Sequence, residues 1–319
     1  MLFPSRFFDQ LSVFPNEFDV EHTVNLNKYA KIIKMSRKII KPNNYPSLLK
    51  QIPDPPKQLY MEGELPSENA LYLAVVGARK FTTYGKEACE KIISGLKNKS
   101  RQIIIVSGLA IGIDGIAHRA ALANGLATVA IPGSGLSDNV LHPRSNVKLS
   151  KDIVRAGGCL ISELDWEIPA GMHTFPSRNR IIAGMSNAVL VIEAAEKSGT
   201  LITANLALEY NRDVLAIPGS IFSENSKGTN RLIKSGATPI FSGEDILEAF
   251  DIPKEKENLK LEFPDDSVEE KIYSLLSEPM QRDELIRKTG LPPAKANPAL
   301  SMMILNGIIK ESGGEIFRV

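Results

Sequence analysis

The chain has 319 residues, of which 43% are hydrophobic and 24% are charged. This composition is typical of a globular protein with two or three domains, and it excludes collagen-like, disordered and acidic-tail proteins. The 38 basic and 37 acidic residues give a formal net charge of +1, so any surface for a polyanion must be local.

Two cysteines, Cys89 and Cys159, are too few for a disulfide framework, and no Cys/His cluster has zinc-ligand spacing. We therefore expect a cytoplasmic protein with neither a metal site nor a cofactor. Residues 120–137 form an uncharged stretch, but its glycines and proline predict a helix end, a strand and a loop. No membrane contact is expected of this stretch.

The first 65 residues predict a short N-terminal cap and a proline-rich strap. From His22 to Pro53 the chain holds seven basic residues and no acidic one. Over residues 28–41 the isoleucines and the basic residues occupy opposite faces of a helical wheel, which predicts an amphipathic helix. It could pack on the main domain, extend a nucleic-acid surface or touch a membrane. The sequence YPSLLKQIPDPPKQLY, residues 45–60, predicts an extended strap.

Residues 66–250 show the pattern of an α/β domain. Seven short apolar runs alternate with amphipathic helical segments: LYLAVVG, QIIIVSG, ATVAIPG, GCLISE, NAVLVIEA, DVLAIPG and TPIF. Near-continuous apolar strands are typical of a parallel sheet that is buried on both faces. The pattern predicts a doubly wound, extended Rossmann-like parallel sheet with helices on both sides.

The remaining residues predict a linker and a small domain. Residues 251–266 are charged and poor in apolar side chains, as in an exposed linker. Residues 267–319 predict three helices and a hairpin that turns at Gly313 and Gly314, which is the plan of a winged-helix-like domain.

The winged-helix-like domain is a poor candidate for reading duplex DNA. Residues 268–319 contain seven basic and seven acidic residues, and the expected recognition helix over residues 294–307 offers Lys295 as its only cation. Base reading in the major groove requires outward-facing donors and acceptors such as arginine. We expect this domain to pack or to dock a partner through Met302 and Met303.

Ligands of open parallel sheets bind at the carboxyl ends of the strands. After the first run, Gly77 allows the backbone to approach a ligand and Arg79 projects from the strand end. After the second run, residues 107–114 form a glycine-interrupted turn that leads into a helix. Such a turn presents backbone N–H groups and the positive end of a helix dipole to an anion.

The later loops carry similar features. The third, PGSGLSDNVLHPRSN, contains Arg144, and the segment FPSRNR places Arg178 and Arg180 at a helix start beside Phe175. The fifth and sixth loops read EAAEKSGTLITA and PGSIFSENSKGTN. Together these loops predict a phosphate-bearing ligand.

The sequence lacks the fingerprints of several enzyme classes. It has no G-x-G-x-x-G after a strand, no G-x-x-x-x-G-K-[ST] and no G-x-S-x-G elbow. We expect Asp114 to brace its loop, and Glu163 and Glu193 to orient arginines. His118 is expected to be structural, whereas His142 and His173 lie in predicted loops where packing and ligand contact are both open.

Five segments, VVGAR, SGLAIGIDGIAHRAAL, FPSRNRIIAG, SGTLITANLALEYNRDVLAIPG and KGTNRLIKSGA, occur in an order that resembles the DNA-processing protein A family (DprA/Smf). The resemblance covers residues 43–250. It implies a protein without catalytic turnover that binds single-stranded DNA, forms homodimers through its α/β domain and helps to load RecA recombinase in natural transformation.

The resemblance also implies a DNA groove. The residues at the matching positions are Gly77, Ala78, Arg79, Ser107, Gly108, Ala110, Gly112, Ile113, Asp114, Phe175, Arg178, Asn179, Arg180, Ser198, Gly199 and Thr200. The residue types fit, because Arg79 and Arg178 could grip phosphates and an exposed Phe175 could stack on a base.

The chain departs from the family in two places. The stretch before FPSRNR is GMHT, where members often have a basic residue, and residues 1–42 lack a helix-hairpin-helix or sterile-alpha-motif pattern. The first departure weakens the expected positive track.

Two alternatives stay open. The run from Lys197 to Thr203 resembles the phosphate-binding turn of nucleotide phosphoribohydrolases, which predicts a nucleotide-binding enzyme, but Thr203 stands where those enzymes have a carboxylate. In the second alternative, the winged helix is a repressor head and the α/β domain is a nucleotide sensor.

Overall fold

The structure of the protein is a computed structural model that describes residues 37–67, 69–97, 102–252, 263–264 and 267–318. The chain divides into two compact units, Met1–Glu255 and Lys256–Val319. The boundaries expected at residues 65, 250 and 266 remain predictions. The part of the predicted basic helix over residues 28–36 lies outside the described residues.

The larger unit is built on a nine-stranded sheet with the order β1-β2-β6-β5-β4-β3-β7-β8-β9. The strands are β1 Arg37–Ile40, β2 Leu59–Gly63, β3 Leu71–Val76, β4 Ile103–Ser107, β5 Thr128–Ala130, β6 Cys159–Ser162, β7 Ala188–Val191, β8 Asp213–Ala216 and β9 Thr238–Pro239. Strands β3 to β9 are parallel, and they correspond to the seven apolar runs.

Eight helices of this unit are described: α1 Ser47–Lys50, α2 Thr83–Ser94, α3 Ile113–Ala123, α4 Val147–Arg155, α5 Thr174–Met185, α6 Thr200–Glu209, α7 Lys227–Lys234 and α8 Gly243–Ala249. Side chains of α1, α5, α6 and α7 cover one face of the sheet, and those of α2, α3 and α8 cover the other. Helix α4 packs on β5 and β6 in a third cluster. The predicted doubly wound α/β fold is confirmed.

Burial on both faces explains the apolar runs. Along β3, Tyr72, Ala74 and Val76 point into one core cluster, whereas Leu71, Leu73 and Val75 point into the other. A strand between two helical layers therefore has no solvent side on which polar residues would be favourable.

The strand order places a switch point at the centre of the sheet. From β3, the chain adds β4, β5 and β6 toward one edge, and then returns to add β7, β8 and β9 toward the other. The loops that leave β3, β4 and β7 diverge there, which opens a crevice at the carboxyl ends of the strands.

The helix predicted over residues 28–41 is wrong for residues 37–40, which form the edge strand β1. This strand pairs antiparallel with β2. Arg37 Nε lies 3.3 Å from Glu62 Oε2, and Lys38 Nζ lies 2.7 Å from Glu64 Oε2. Residues 37–40 therefore form a strand although their pattern favours a helix, because pairing with β2 and its acidic side chains is a tertiary contact, and such contacts routinely override helix propensity.

The proline-rich strap is also less extended than predicted, since it contains the helical turn α1. Tyr45 and Leu49 are buried, and the Tyr45 hydroxyl donates to the Pro56 carbonyl at 3.1 Å. The end of the strap forms β2, which joins the sheet through β6. Apolar anchors thus fold the segment onto the domain.

Residues 120–137 form the end of α3, strand β5 and the following loop, as predicted. Within the described ranges, no helix combines the length and the apolar character that a membrane span requires.

The smaller unit has the predicted winged-helix plan. It contains α9 Val268–Leu275, β10 Met280–Gln281, α10 Arg282–Thr289, α11 Pro293–Leu305, β11 Ile309–Ser312 and β12 Glu315–Arg318, with the sheet order β10-β12-β11. The hairpin turns at Gly313 and Gly314, whose φ angles of 62° and 84° favour glycine.

The structure separates the two methionines of α11. Met302 is 55% exposed, whereas Met303 is buried in the core of this unit. Of the two roles expected for these methionines, packing or docking, Met303 therefore has the packing role, because its side chain lies in the core cluster that joins α11 to α9 and the hairpin.

His118 of α3 is structural, as expected. Thr128 Oγ1 donates to the Ile105 carbonyl at 2.7 Å, so it accepts from His118 Nδ1, also at 2.7 Å. Burial, with a smaller contribution from the charges of Arg119 and Arg178, lowers the pKa of His118 from 6.5 to about 3. The imidazole is neutral in the native protein.

This neutral histidine should make stability pH-dependent. The unfolded chain binds a proton at pH 6.5 that the native chain does not bind until about pH 3, so stability falls as the pH falls through this window. Wild type should lose about 2 kcal/mol more between pH 7 and pH 5 than His118→Gln, whose amide does not titrate. Urea unfolding at the two pH values measures this difference, and equal pH dependence of the two proteins would contradict it.

Candidate nucleic-acid interface

A cavity of about 580 Å³ opens at the switch point of the sheet. It is lined by residues from five segments of the chain: Val76, Gly77, Ala78, Arg79, Lys80, Ala110, Asp114, Phe175, Pro176, Arg178, Asn179, Ile182, Ala195, Ser198, Gly199, Thr200, Ile202, Thr203 and Asn225. Eleven of the sixteen predicted site residues belong to this lining. The other five are Ser107, Gly108, Gly112, Ile113 and Arg180.

The loops after β3 and β4 are locked together by close backbone contacts. The Ile113 N–H donates to the Ala78 carbonyl at 3.2 Å. Gly112 has a φ of 86°, and a Cβ there would overlap the Ala78 carbonyl. A Cβ on Gly77 would overlap the Ile113 side chain. Two of the predicted glycines therefore set the floor of the cavity by allowing these loops to touch.

Arg178 lies beneath the cavity as a buried brace. Its Nη1 donates to the Gly108 carbonyl at 2.5 Å and to the Ile131 carbonyl. Its Nε donates to Asn179 Oδ1 at 3.2 Å. The expected role of Arg178 as a phosphate grip is wrong for this arrangement, because backbone carbonyls occupy much of the guanidinium.

Asp114 is the acidic partner of this brace, as its predicted bracing role requires. The Gly108 N–H donates to Asp114 Oδ2 at 3.1 Å. Burial raises the pKa of Asp114, and the Arg178 guanidinium opposes this rise. Burial also lowers the pKa of Arg178 to about 10, while Asp114 opposes that fall. Each charge is tolerated in the interior because the other is beside it.

Phe175 is half-buried and is not the freely exposed platform that we expected. Its ring meets His142 edge-on at a centroid distance of 5.9 Å, and a Cβ on Gly133 would overlap it. On the cavity side, Arg79 Cζ lies 5.0 Å from the ring centroid. The exposed Arg79 and the ring of Phe175 therefore form one cation–π pair at the cavity mouth.

Arg180 forms an ion pair away from the cavity lining. Its Nη2 donates to both carboxylate oxygens of Glu163 at 2.6 and 2.7 Å, and its Nη1 donates to the Asp54 carbonyl at 2.8 Å. The prediction that Glu163 orients an arginine matches this contact. A bidentate partner leaves Arg180 poorly suited to a phosphate.

Two further residues have structural roles. Ser107 Oγ donates to the Val75 carbonyl at 2.6 Å. Glu193 does not orient an arginine, because its carboxylate accepts from Thr82 N at 3.0 Å and from Thr82 Oγ1 at 2.5 Å. Thr82 caps α2, so Glu193 fixes the start of the helix that follows the Arg79 loop.

The loop after β7 contributes the other wall. Ser198 Oγ accepts from Thr200 N at 3.2 Å at the start of α6, and the Gly199 Cα has open space beside it. Lys80 and Asn225 were not among the predicted site residues, yet the ammonium group of Lys80 and the side-chain amide of Asn225 also belong to the cavity lining. Lys80 follows Arg79 directly, so its position after a strand end was the available signal.

The buried brace predicts a sharp difference between two glycines. A Cβ on Gly108 would overlap the Arg178 guanidinium and the Asp114 carboxylate, so Gly108→Ala should destabilise the protein by about 1–3 kcal/mol. Gly199→Ala is the matched control, because no atom lies within 4 Å of its ideal Cβ, and its effect should stay within about 0.5 kcal/mol. Denaturant unfolding of both variants tests this, and equal stabilities would refute the brace.

Comparison with known proteins gives consistent matches. The family model for DNA recombination-mediator protein A matches residues 37–251, and one for the DprA winged helix domain matches residues 258–315. Over 208 residues, the chain is 43% identical to protein Smf of Escherichia coli, covering 64% of this chain and 54% of that protein. It is 44% identical to DNA processing protein DprA of Streptococcus pneumoniae, covering 65% and 71%. The aligned region thus spans about half the length of the Escherichia coli relative.

Two solved structures are similar. DNA processing protein A from Streptococcus pneumoniae matches with a TM-score of 0.61 and 37% identity, covering 71% of this chain and 78% of that one. The protein from Helicobacter pylori, whose structure concerns its single-stranded DNA binding mode, matches with a TM-score of 0.58 and 29% identity, covering 67% and 95%. With the family model covering most of the chain, the protein belongs to the DNA recombination-mediator protein A family.

Proposed function

We propose that the protein binds single-stranded DNA at the switch-point cavity and acts, without catalytic turnover, as a recombination mediator. In this proposal it works in the cytoplasm as a homodimer, protects incoming DNA and helps to load a RecA recombinase during natural transformation. The DNA-binding part is supported by the geometry of the cavity. The RecA, dimer and transformation parts are supported by family membership alone.

The observation that carries the proposal is the pair formed by Arg79 and Phe175 at the cavity mouth. Single-strand binders combine cations that follow the phosphates with aromatic rings on which bases stack. Arg79 is exposed and lies over the ring, while Lys80 stands beside it in the lining. A strand entering the cavity would meet the cations first and the ring behind them.

The cavity is poorly equipped for hydrolysis of a nucleotide. In its described lining, Asp114 is the only carboxylate, and it is held by Gly108 N beside the Arg178 guanidinium. Thr203, at the position where the phosphoribohydrolases have a carboxylate, is buried. These features favour binding over acid–base chemistry.

The proposal predicts different salt responses for three arginines. In fluorescence anisotropy with a labelled oligothymidylate, Arg79→Ala should lower affinity about tenfold and reduce the slope of log affinity against log salt by about 0.7, because one phosphate contact is lost. Arg178→Met should lower affinity through misplaced loops while leaving the slope unchanged. Arg155→Ala is the control, since Arg155 lies outside the cavity lining on α4, next to Asp152.

Four results would overturn the proposed function or its proposed site. Binding of duplex as tightly as single strands would remove the single-strand function. Binding of a mononucleotide alone would favour the nucleotide-binding enzyme or sensor, and release of free base from a nucleoside monophosphate would identify the enzyme. If Arg79→Ala left the slope of log affinity against log salt unchanged, a residue other than Arg79 would make the phosphate contact.

A further inference from the structure

We propose that a second surface next to the cavity binds those bases of the single strand that extend beyond the cavity. This surface, the flanking platform, consists of Lys80 and Phe81 on the loop after β3 and Ile221 and Phe222 on the loop after β8. The inference rests on the proposed single-strand function and extends it from Lys80, which lines the cavity, to Phe81, Ile221 and Phe222, which lie outside the cavity lining.

The platform presents large apolar side chains to solvent. Phe222 is 90% exposed, Ile221 is 77% exposed and Phe81 is 43% exposed. Single exposed apolar residues are common, but adjacent ones on neighbouring loops mark interaction surfaces.

The loop that carries Ile221 and Phe222 is well anchored. The Tyr84 hydroxyl donates to the Pro218 carbonyl at 2.6 Å. Asn230 closes the loop from α7, since its side chain accepts from Gly219 N at 3.1 Å and donates to the Gly219 carbonyl at 3.0 Å. An anchored loop holds Phe222 outward at little entropic cost on binding, which is favourable for recognition.

The platform is continuous with the cavity. Asn225 Nδ2 donates to the Lys80 carbonyl at 2.8 Å, which joins the loop after β8 to the loop after β3. Both Lys80 and Asn225 line the cavity. A strand that passes Lys80 therefore reaches the platform directly.

The charges along this path suit a polyanion. Lys80 belongs to both the cavity lining and the platform, and the nearby carboxylate of Glu224 is paired with Lys227 Nζ at 2.6 Å. Glu193 is buried against Thr82. A cation flanked by exposed aromatic rings is the combination that binds successive nucleotides. Continuity with the cavity and the position of Lys80 favour nucleic acid over a protein partner.

The test compares oligothymidylates of about 4 and about 12 nucleotides, a length range typical of single-strand sites. Phe222→Ala should weaken the longer oligonucleotide about five- to tenfold and change the shorter one by less than about twofold, because only the longer strand reaches the platform. Phe222→Trp should restore affinity, whereas Phe222→Leu should not. Leu208→Ala, an exposed apolar change at the far end of α6, is the control and should leave both affinities unchanged.

Tryptophan fluorescence provides a second readout. The chain has one tryptophan, Trp166, so Phe222→Trp adds a single reporter on the platform. The long oligonucleotide should quench the added fluorescence through base stacking, and the short one should not.

The outcomes distinguish this inference from the proposed function. The platform would be refuted if Phe222→Ala bound both oligonucleotides like wild type and the fluorescence of Phe222→Trp were not quenched. If Arg79→Ala also bound both oligonucleotides more weakly than wild type, the cavity would remain the DNA site. The exposed aromatic rings would then belong to a protein interface. If neither oligonucleotide binds the wild type, both proposals fail.

Discussion

The candidate site depends on one buried interaction, the contact of the Arg178 guanidinium with the ends of two strands. From α5, Arg178 donates to carbonyls of Gly108 after β4 and Ile131 after β5, and Asp114 stands beside it to balance its charge. A buried charge without its partner is costly, so neither residue can be lost alone. The brace fixes the loop after β4, which in turn touches the loop after β3 through Gly112 and Ala78. The position of the exposed Arg79 is therefore set by groups that need not touch a ligand.

The sheet explains why these loops meet. Because both faces of β3 are covered by helices, a ligand can reach the sheet only at the strand ends, where the loops lie. The reversal of strand order at β3 separates the loops of β4 and β7, and the crevice between them is lined by glycines and small side chains together with Arg79, Phe175 and Arg178. The fold provides the crevice, whereas the side chains at its mouth decide what enters it.

Much of this could be predicted from the sequence, because the strands β3 to β9 are continuous apolar runs and the loops are rich in glycine. The errors have a common physical cause. The helical period over residues 28–41 favoured a helix, but Glu62 of β2 and the following Glu64 pair with Arg37 and Lys38. FPSRNR gave the residue types of Phe175, Arg178 and Arg180, yet it could not show that carbonyls and Glu163 would occupy both arginines. Partners distant in the chain decided these roles, and local sequence does not contain them.

The same reasoning explains how a chain with a formal net charge of +1 can present a site for a polyanion. Arg37, Lys38 and Arg180 face carboxylates, and Arg178 is buried beside Asp114, so these cations contribute little to the field outside the protein. Arg79 and Lys80 are exposed at the cavity mouth, and the carboxylate of the cavity lining, Asp114, is buried beside Arg178. The local potential depends on which cations are matched by carboxylates and which are not. Counting charges along the chain therefore underestimates the attraction that a phosphate would meet at this one place.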